Sequence, residues 1–300
     1  MEEKMFKIRK LAAVSLMVIS WGMAFAADNF PSDFDAAMKL KSKPAEAEAA
    51  FIKLAETAKE DRYQRIRRDA AYFEAANSAA AQKEYARALT FSDKISSIPM
   101  RTLSKMNLMK CQKQYKEIFE LGKSENIAGW PEDLIFDGAM CRAEAEVSTG
   151  DYAAAEKDYI LAKSYTLDPN RKAEAALKLG DIYRDNLKDD ANAMKSYDEV
   201  IAISTVNWRF YNAGMSYARI AVKLNQGAQA IERLNKLNAS DKKNVNPQFI
   251  ASMHECYGDV YLAMGKKDES LASYRQALAV ASVPEAVVKS VEEKIKKMGK

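Results

Sequence analysis

Few side chains in this chain could carry chemistry, and their spacing fits none of the common catalytic schemes. His254 is the only histidine in 300 residues, so a Ser-His-Asp relay would depend on it alone and a histidine-rich metal site is excluded. It stands at a large-residue position of an amphipathic helix and reads as a core or groove residue. Leu121-Gly122-Lys123-Ser124 has the ending of a phosphate loop, yet Glu117 occupies the place of the required first glycine. No GxGxxG, GxSxG, CxxC or HExxH occurs. Cys111, Cys141 and Cys256 form an odd set. Cys141 and Cys256 hold equivalent positions in helices three units apart. At about 10 Å per stacked helix pair they cannot bridge, so buried reduced thiols are expected and only Cys111 with Cys141 is worth testing as a pair. Carboxylates are plentiful, but helical spacing makes Asp and Glu pairs common on solvated faces. The chain reads as a non-enzyme with no metal and no cofactor.

The elements that hold these residues repeat. Cys141–Tyr165, Leu177–Ile203 and Glu255–Val280 each read as an amphipathic helix, a short turn and a second helix carrying Ala or Ser followed four residues later by Tyr: Ala155/Tyr159, Ala193/Tyr197 and Ser270/Tyr274. Small residues in the first helix (Ala143, Gly180, Gly258) let the second approach closely, and its aromatic fills the gap towards the next pair. Asn212–Asn238 is a weaker unit with Ala218, Ala230 and Leu234 in place. The seven prolines, 31, 44, 99, 131, 169, 247 and 284, all fall between expected helices. Proline inside a helix costs roughly 3 kcal/mol, so this segregation supports an all-α chain. Upstream, Tyr63–Pro99 and Phe34–Lys59 read as units, whereas Thr102–Lys123 would be a compressed pair without a glycine turn. Residues 124–132 are the most loop-like stretch and a candidate hinge. Residues 284–300 form a capping helix with Val287, Val288, Val291, Ile295 and Met298 on one face.

This pattern resembles the tetratricopeptide repeat: Leu179-Gly180 and Tyr183 fit its first helix, Ala193 and Tyr197 its second with one residue inserted at the turn, and Tyr257-Gly258, Tyr261, Gly265, Tyr274 and Ala277-Leu278 fit the last unit. The resemblance implies an α-solenoid of stacked helix-turn-helix repeats. Residues 32–123 would form degenerate repeats and 133–283 clearer ones. The spacing departs from the family's 34 residues: Tyr159, Tyr197, Leu234 and Tyr274 follow one another at 38, 37 and 40. The resemblance also implies that a partner lies in the concave groove lined by first helices, with Met140, Glu144, Leu177, Asp181, Met215, Arg219, Glu255 and Asp259 as groove-facing candidates. The Lys, Arg and Asn clamp with which some members grip a carboxylate is missing. A mildly acidic groove with Met and Leu would suit a partner segment carrying positive charge. Alanine at Asp181 and Asp259 together is expected to weaken such a partner and leave the melting temperature unchanged.

Lys4, Lys7, Arg9 and Lys10 precede an apolar run, Leu11–Met23, and Ala24-Phe25-Ala26 meets the small-x-small rule for signal peptidase. The run is too short to span a bilayer comfortably. Residues 1–26 are therefore expected to be a cleaved signal peptide, with no transmembrane anchor afterwards and a periplasmic or extracellular location. Cleavage would take the 46 cationic and 42 anionic side chains to 42 and 40, a near balance that gives no warrant for nucleic-acid binding. The expected function is a protein-binding adaptor of the bacterial envelope. A peptidoglycan- or polysaccharide-associated module and a self-associating structural protein are the alternatives.

Overall fold

The computed structural model describes residues 29–58, 62–203, 207–243 and 245–299; the expected signal peptide lies outside them. Among the described residues the chain is all helical, with fifteen α-helices and no strand. They run in pairs: α1 (Phe30–Lys39) with α2 (Pro44–Thr57), α3 (Arg62–Ala81) with α4 (Tyr85–Asp93), α5 (Ile98–Cys111) with α6 (Tyr115–Lys123), and α7 (Glu132–Thr149) with α8 (Tyr152–Ser164). Then follow α9 (Pro169–Ile182) with α10 (Asp190–Ile203), α11 (Trp208–Lys223) with α12 (Gly227–Asn238), α13 (Pro247–Ala263) with α14 (Lys267–Ala279), and the unpaired α15 (Glu285–Met298). Every proline sits at a helix N-cap or in a first turn, where its missing N–H costs nothing. Asp168, Asn207 and Asn246 cap α9, α11 and α13, accepting from the N–H of Asn170, Arg209 and Gln248 at 2.8, 2.8 and 2.9 Å.

Two compact units divide after Tyr165. In the first, α1–α8, each helix packs on the next, and α3, α5 and α7 pack on one another as a row of first helices. In the second, α9–α15, the row is α9, α11, α13 and α15. Thr102–Lys123, expected as a compressed pair, forms α5 and α6, with a second helix of 9 residues. The stretch 124–132 contains a 3-10 turn at Ile127–Gly129. Ile127 and Trp130 are buried there, and Trp130 Nε1 donates to Glu125 at 3.3 Å. Arg142 ties this stretch to α7 and α8: its Nη1 donates to the carbonyls of Gly122 and Glu125 at 3.0 and 2.9 Å, and its Nε and Nη2 grip Asp158.

The size rule of the repeat is realised in atoms. A Cβ on Gly180 would stand 2.5 Å from Cε1 of Tyr197, and one on Gly258 would meet Tyr274 in the same way. Both tyrosines are fully buried. Ser270, in the alanine slot, is accommodated because its Oγ donates to the Gly258 carbonyl at 2.8 Å. The residue inserted before α10 is absorbed as a π-helical turn, Tyr183–Leu187.

Candidate functional site

Between two first helices of the N-terminal unit the structure leaves room. Ala76, Ala80 and Ala81 of α3 face Ser104, Asn107 and Leu108 of α5; Asn77, Lys110 and Cys111 complete a cleft of about 400 Å3. Its origin is a matter of size order. Elsewhere the first helix is small and the second large at this contact. In the α5/α6 pair Met106 is the large residue, and Gly122 of α6 lies within van der Waals reach of it. Met106 is thus the large residue at the α5/α6 contact, and Leu108 is the one large side chain of α5 in the cleft facing the alanines of α3.

The rim chemistry is neutral. Lys110 Nζ pairs with Glu144 of α7; burial works most strongly against the ammonium, but the hydrogen bond to Glu144 and the Glu144 charge, with smaller contributions around them, together hold its pKa above the usual lysine value. Ser104 is spent on Ser92, Oγ to Oγ at 2.8 Å. Asn77 has one long contact, Nδ2 to Glu74 at 3.4 Å. Asn107 is half-buried and has no hydrogen-bond partner among the described residues.

The eight groove candidates are placed differently from expectation. Met140, Leu177 and Met215 are 6, 6 and 4% exposed; they belong to the packing between helices and line no open groove. Of the acids, Glu144 is taken by Lys110. Asp181 accepts from Tyr197 Oη at 2.8 Å and lies 3.4 Å from Arg184; burial raises its pKa, opposed by that tyrosine bond. Glu255 and Asp259 are brought together by Lys294 of α15, at 2.8 and 2.7 Å, and Asp259 also accepts from Tyr274 Oη at 2.7 Å. The acidity read from the sequence is thus consumed inside the chain. Removing Asp181 or Asp259 takes one hydrogen-bond partner from a buried tyrosine hydroxyl, so a lowered melting temperature, not an unchanged one, is now expected. Arg219 alone is exposed, and it has no ion-pair partner among the described residues.

Other singled-out residues are structural. His254 is half-buried and stacks on Tyr257 at 6.3 Å, and burial holds its pKa below the usual histidine value. Gly122 of the phosphate-loop-like run is inside α6. Cys141 and Cys256 are buried free thiols, whereas Cys111 is exposed, which corrects the expectation of three buried ones. Among the described residues no cluster of three metal-ligating side chains occurs, and no helix is long and apolar enough to cross a membrane. The sequence reading missed the cleft, although the alanine excess of α3 (Ala70, Ala71, Ala75, Ala76, Ala79, Ala80 and Ala81) exceeds what a single partner helix needs and was the available signal.

No family model and no curated relative matches the chain. Solved structures do resemble it. Human IFIT1, solved as a dimer with PPP-AAAA, aligns over 94% of this chain and 66% of its own, at 14% identity and a TM-score of 0.52. A tetratricopeptide repeat protein from Parabacteroides merdae covers 89% of this chain and 98% of its own, at 12% identity and 0.46. The C-terminal part of a repeat protein from Cytophaga hutchinsonii covers 85 and 98%, at 16% and 0.48. By the glycine–tyrosine contacts of its own helix pairs, and in line with the IFIT1 likeness, the chain is an all-α repeat solenoid.

Proposed function

We propose that the chain is a non-catalytic scaffold of the bacterial envelope that holds a segment of a protein partner on the face built by its first helices. The observation that carries this reading is the α3/α5 cleft: an apolar floor bordered by the amides of Asn77 and Asn107 is a surface for recognition. Export rests on the basic, apolar and small-residue order of residues 1–26. Because Glu144, Asp181, Glu255 and Asp259 are already engaged, the grip is not expected to depend on a basic segment. The purified chain from Ala27 to Lys300, used as bait in envelope extract at low and high salt, tests this. One near-stoichiometric protein retained at both salt levels supports the scaffold. Recovery of the bait alone, or of glycan, overturns it.

A further inference from the structure

α15 covers the last helix pair of the second unit, and the way it is held points to a partner. We infer that two copies of this chain pair by reciprocal exchange of α15, each helix seating on α13 and α14 of the other copy with Val280–Pro284 as the hinge. The inference goes beyond the scaffold reading and does not depend on it.

Shape and charge name the occupant of the seat. α15 buries only Val287 and Val291, which close a cluster with Ala251, Tyr274 and Ala277. Much of the rest of its hold is polar. Ser290 Oγ donates to Glu255 at 2.6 Å, and Lys294 Nζ reaches Glu255 and Asp259 at 2.8 and 2.7 Å. An empty seat would uncover the apolar cluster and take Lys294 from two carboxylates of α13. The helix that fits carries an apolar stripe with a hydroxyl and a cation beside it, which is α15 itself. A second copy is therefore the partner whose helix restores every contact unchanged.

The hinge supplies the bias towards exchange. Elsewhere among the described residues, left-handed backbone occurs only in turns within helix pairs, at Lys83, Lys113, Gly150, Lys188, Asn225 and Gly265. Ser282, at φ 61°, is the exception. It stands in the five-residue connection between α14 and α15. A left-handed serine is strained. A short strained connection favours exchange, because opening it relieves the strain while the seat contacts are kept. Since both forms make the same seat contacts, pairing is set by the hinge and by concentration.

Charge reversal separates exchange from any other pairing. In the chain from Ala27 to Lys300, Lys294→Glu places a third carboxylate beside Glu255 and Asp259, and Glu255→Lys places a second cation beside Lys294. Each variant would be opened briefly in mild urea and returned to buffer, alone or mixed with the other. Alone, each is expected to stay monomeric by light scattering, with the α15 amides poorly protected in hydrogen exchange. Mixed, they should form a one-to-one dimer, because exchange sets opposite charges on both seats, and α15 should regain about tenfold or more protection. The parent chain should give a dimer fraction that rises with concentration, and Ser282→Gly should weaken that pairing roughly fivefold. A mixture that stays monomeric with α15 unprotected would overturn the inference. So would a parent dimer that persists equally in Lys294→Glu alone, since that is side-by-side pairing. Should either reversal fail to fold by circular dichroism, removal of Ser282 and Val283 decides the matter, because so short a hinge cannot fold back. A dimer with α15 protected supports exchange, and a monomer with α15 unprotected overturns it.

Discussion

At the scale of single residues, the fold depends on a few contacts between a very small side chain and a very large one. Gly258 lies in the middle of α13, where alanine would gain about 1 kcal/mol of helix propensity. That gain is outweighed, because the added Cβ lands on the buried ring of Tyr274, whose hydroxyl is fixed by Asp259. Gly258→Ala is expected to destabilise by about 1–3 kcal/mol in urea unfolding, and Tyr274→Leu in the same chain should recover part of the loss. A stabilising Gly258→Ala would refute the contact. Glu146 gives a second residue-level expectation. It is 6% exposed, and its Oε2 has no hydrogen-bond partner among the described residues. Burial first, then the nearby Asp158 charge, pushes its pKa up to about 8 from 4.5. The folded chain therefore holds this proton more tightly than the unfolded one. Its contribution to stability is full below about pH 4.5 and is lost as pH rises through 8. Melting temperature should fall across that window, and Glu146→Gln should flatten the fall. An identical slope in the variant would show that Glu146 is not its source.

At the scale of elements, six of the seven helix pairs turn in the same way although their sequences differ. The residue two places before the second helix is left-handed in each: Lys83, Lys113, Gly150, Lys188, Asn225 and Gly265. The following N–H reaches back five residues, as from Gln114 to Met109 at 2.9 Å and from Lys266 to Tyr261 at 2.9 Å. After the π-helical turn it reaches back six, from Asp189 to Tyr183 at 2.9 Å. Only two of these positions are glycine, which is why Thr102–Lys123 read as a doubtful unit. Its turn geometry is that of the other five pairs, with Lys113 bearing a left-handed backbone that costs an L residue about 1–2 kcal/mol. Lys113→Gly should therefore stabilise by about 0.5–1 kcal/mol after the looser unfolded chain is counted. Gly265→Ala, whose Cβ would touch nothing, should destabilise by about 1 kcal/mol from backbone strain alone. Equal and opposite shifts in chemical denaturation would identify the turn itself as the common element; a neutral Gly265→Ala would refute it. The second obstacle to reading this pair was the exchange of large and small residues, Met106 for a glycine or alanine and Gly122 for an aromatic. Periodicity is blind to such an exchange.

At the scale of the whole molecule, what the sequence disclosed depended on whether a position answers to one helix or to several. Pairing, proline placement and the Gly180/Tyr197 and Gly258/Tyr274 contacts follow from spacing within one unit, and all were legible. Which carboxylates remain free depends on the neighbouring unit. Glu144, Glu255 and Asp259 looked available until Lys110 and Lys294 of adjacent first helices were in place. The C-terminal helix shows both sides of this. Its apolar stripe was legible, and Val287 and Val291 do close a cluster with Ala251, Tyr274 and Ala277. Its second role, setting Lys294 between Glu255 and Asp259, was not. Because stability in a repeat chain is built from neighbour contacts, loosening α15 should act locally. Val291→Ala is expected to cost about 1.5–3 kcal/mol of burial. In native-state hydrogen exchange the amides of α13 and α14, on which α15 packs, should lose protection first, while α9 and α10 keep theirs. Uniform loss across Pro169–Ala279 would mean that the unit opens as one body, and α15 would then be a lock on the whole unit rather than a cover for its last pair.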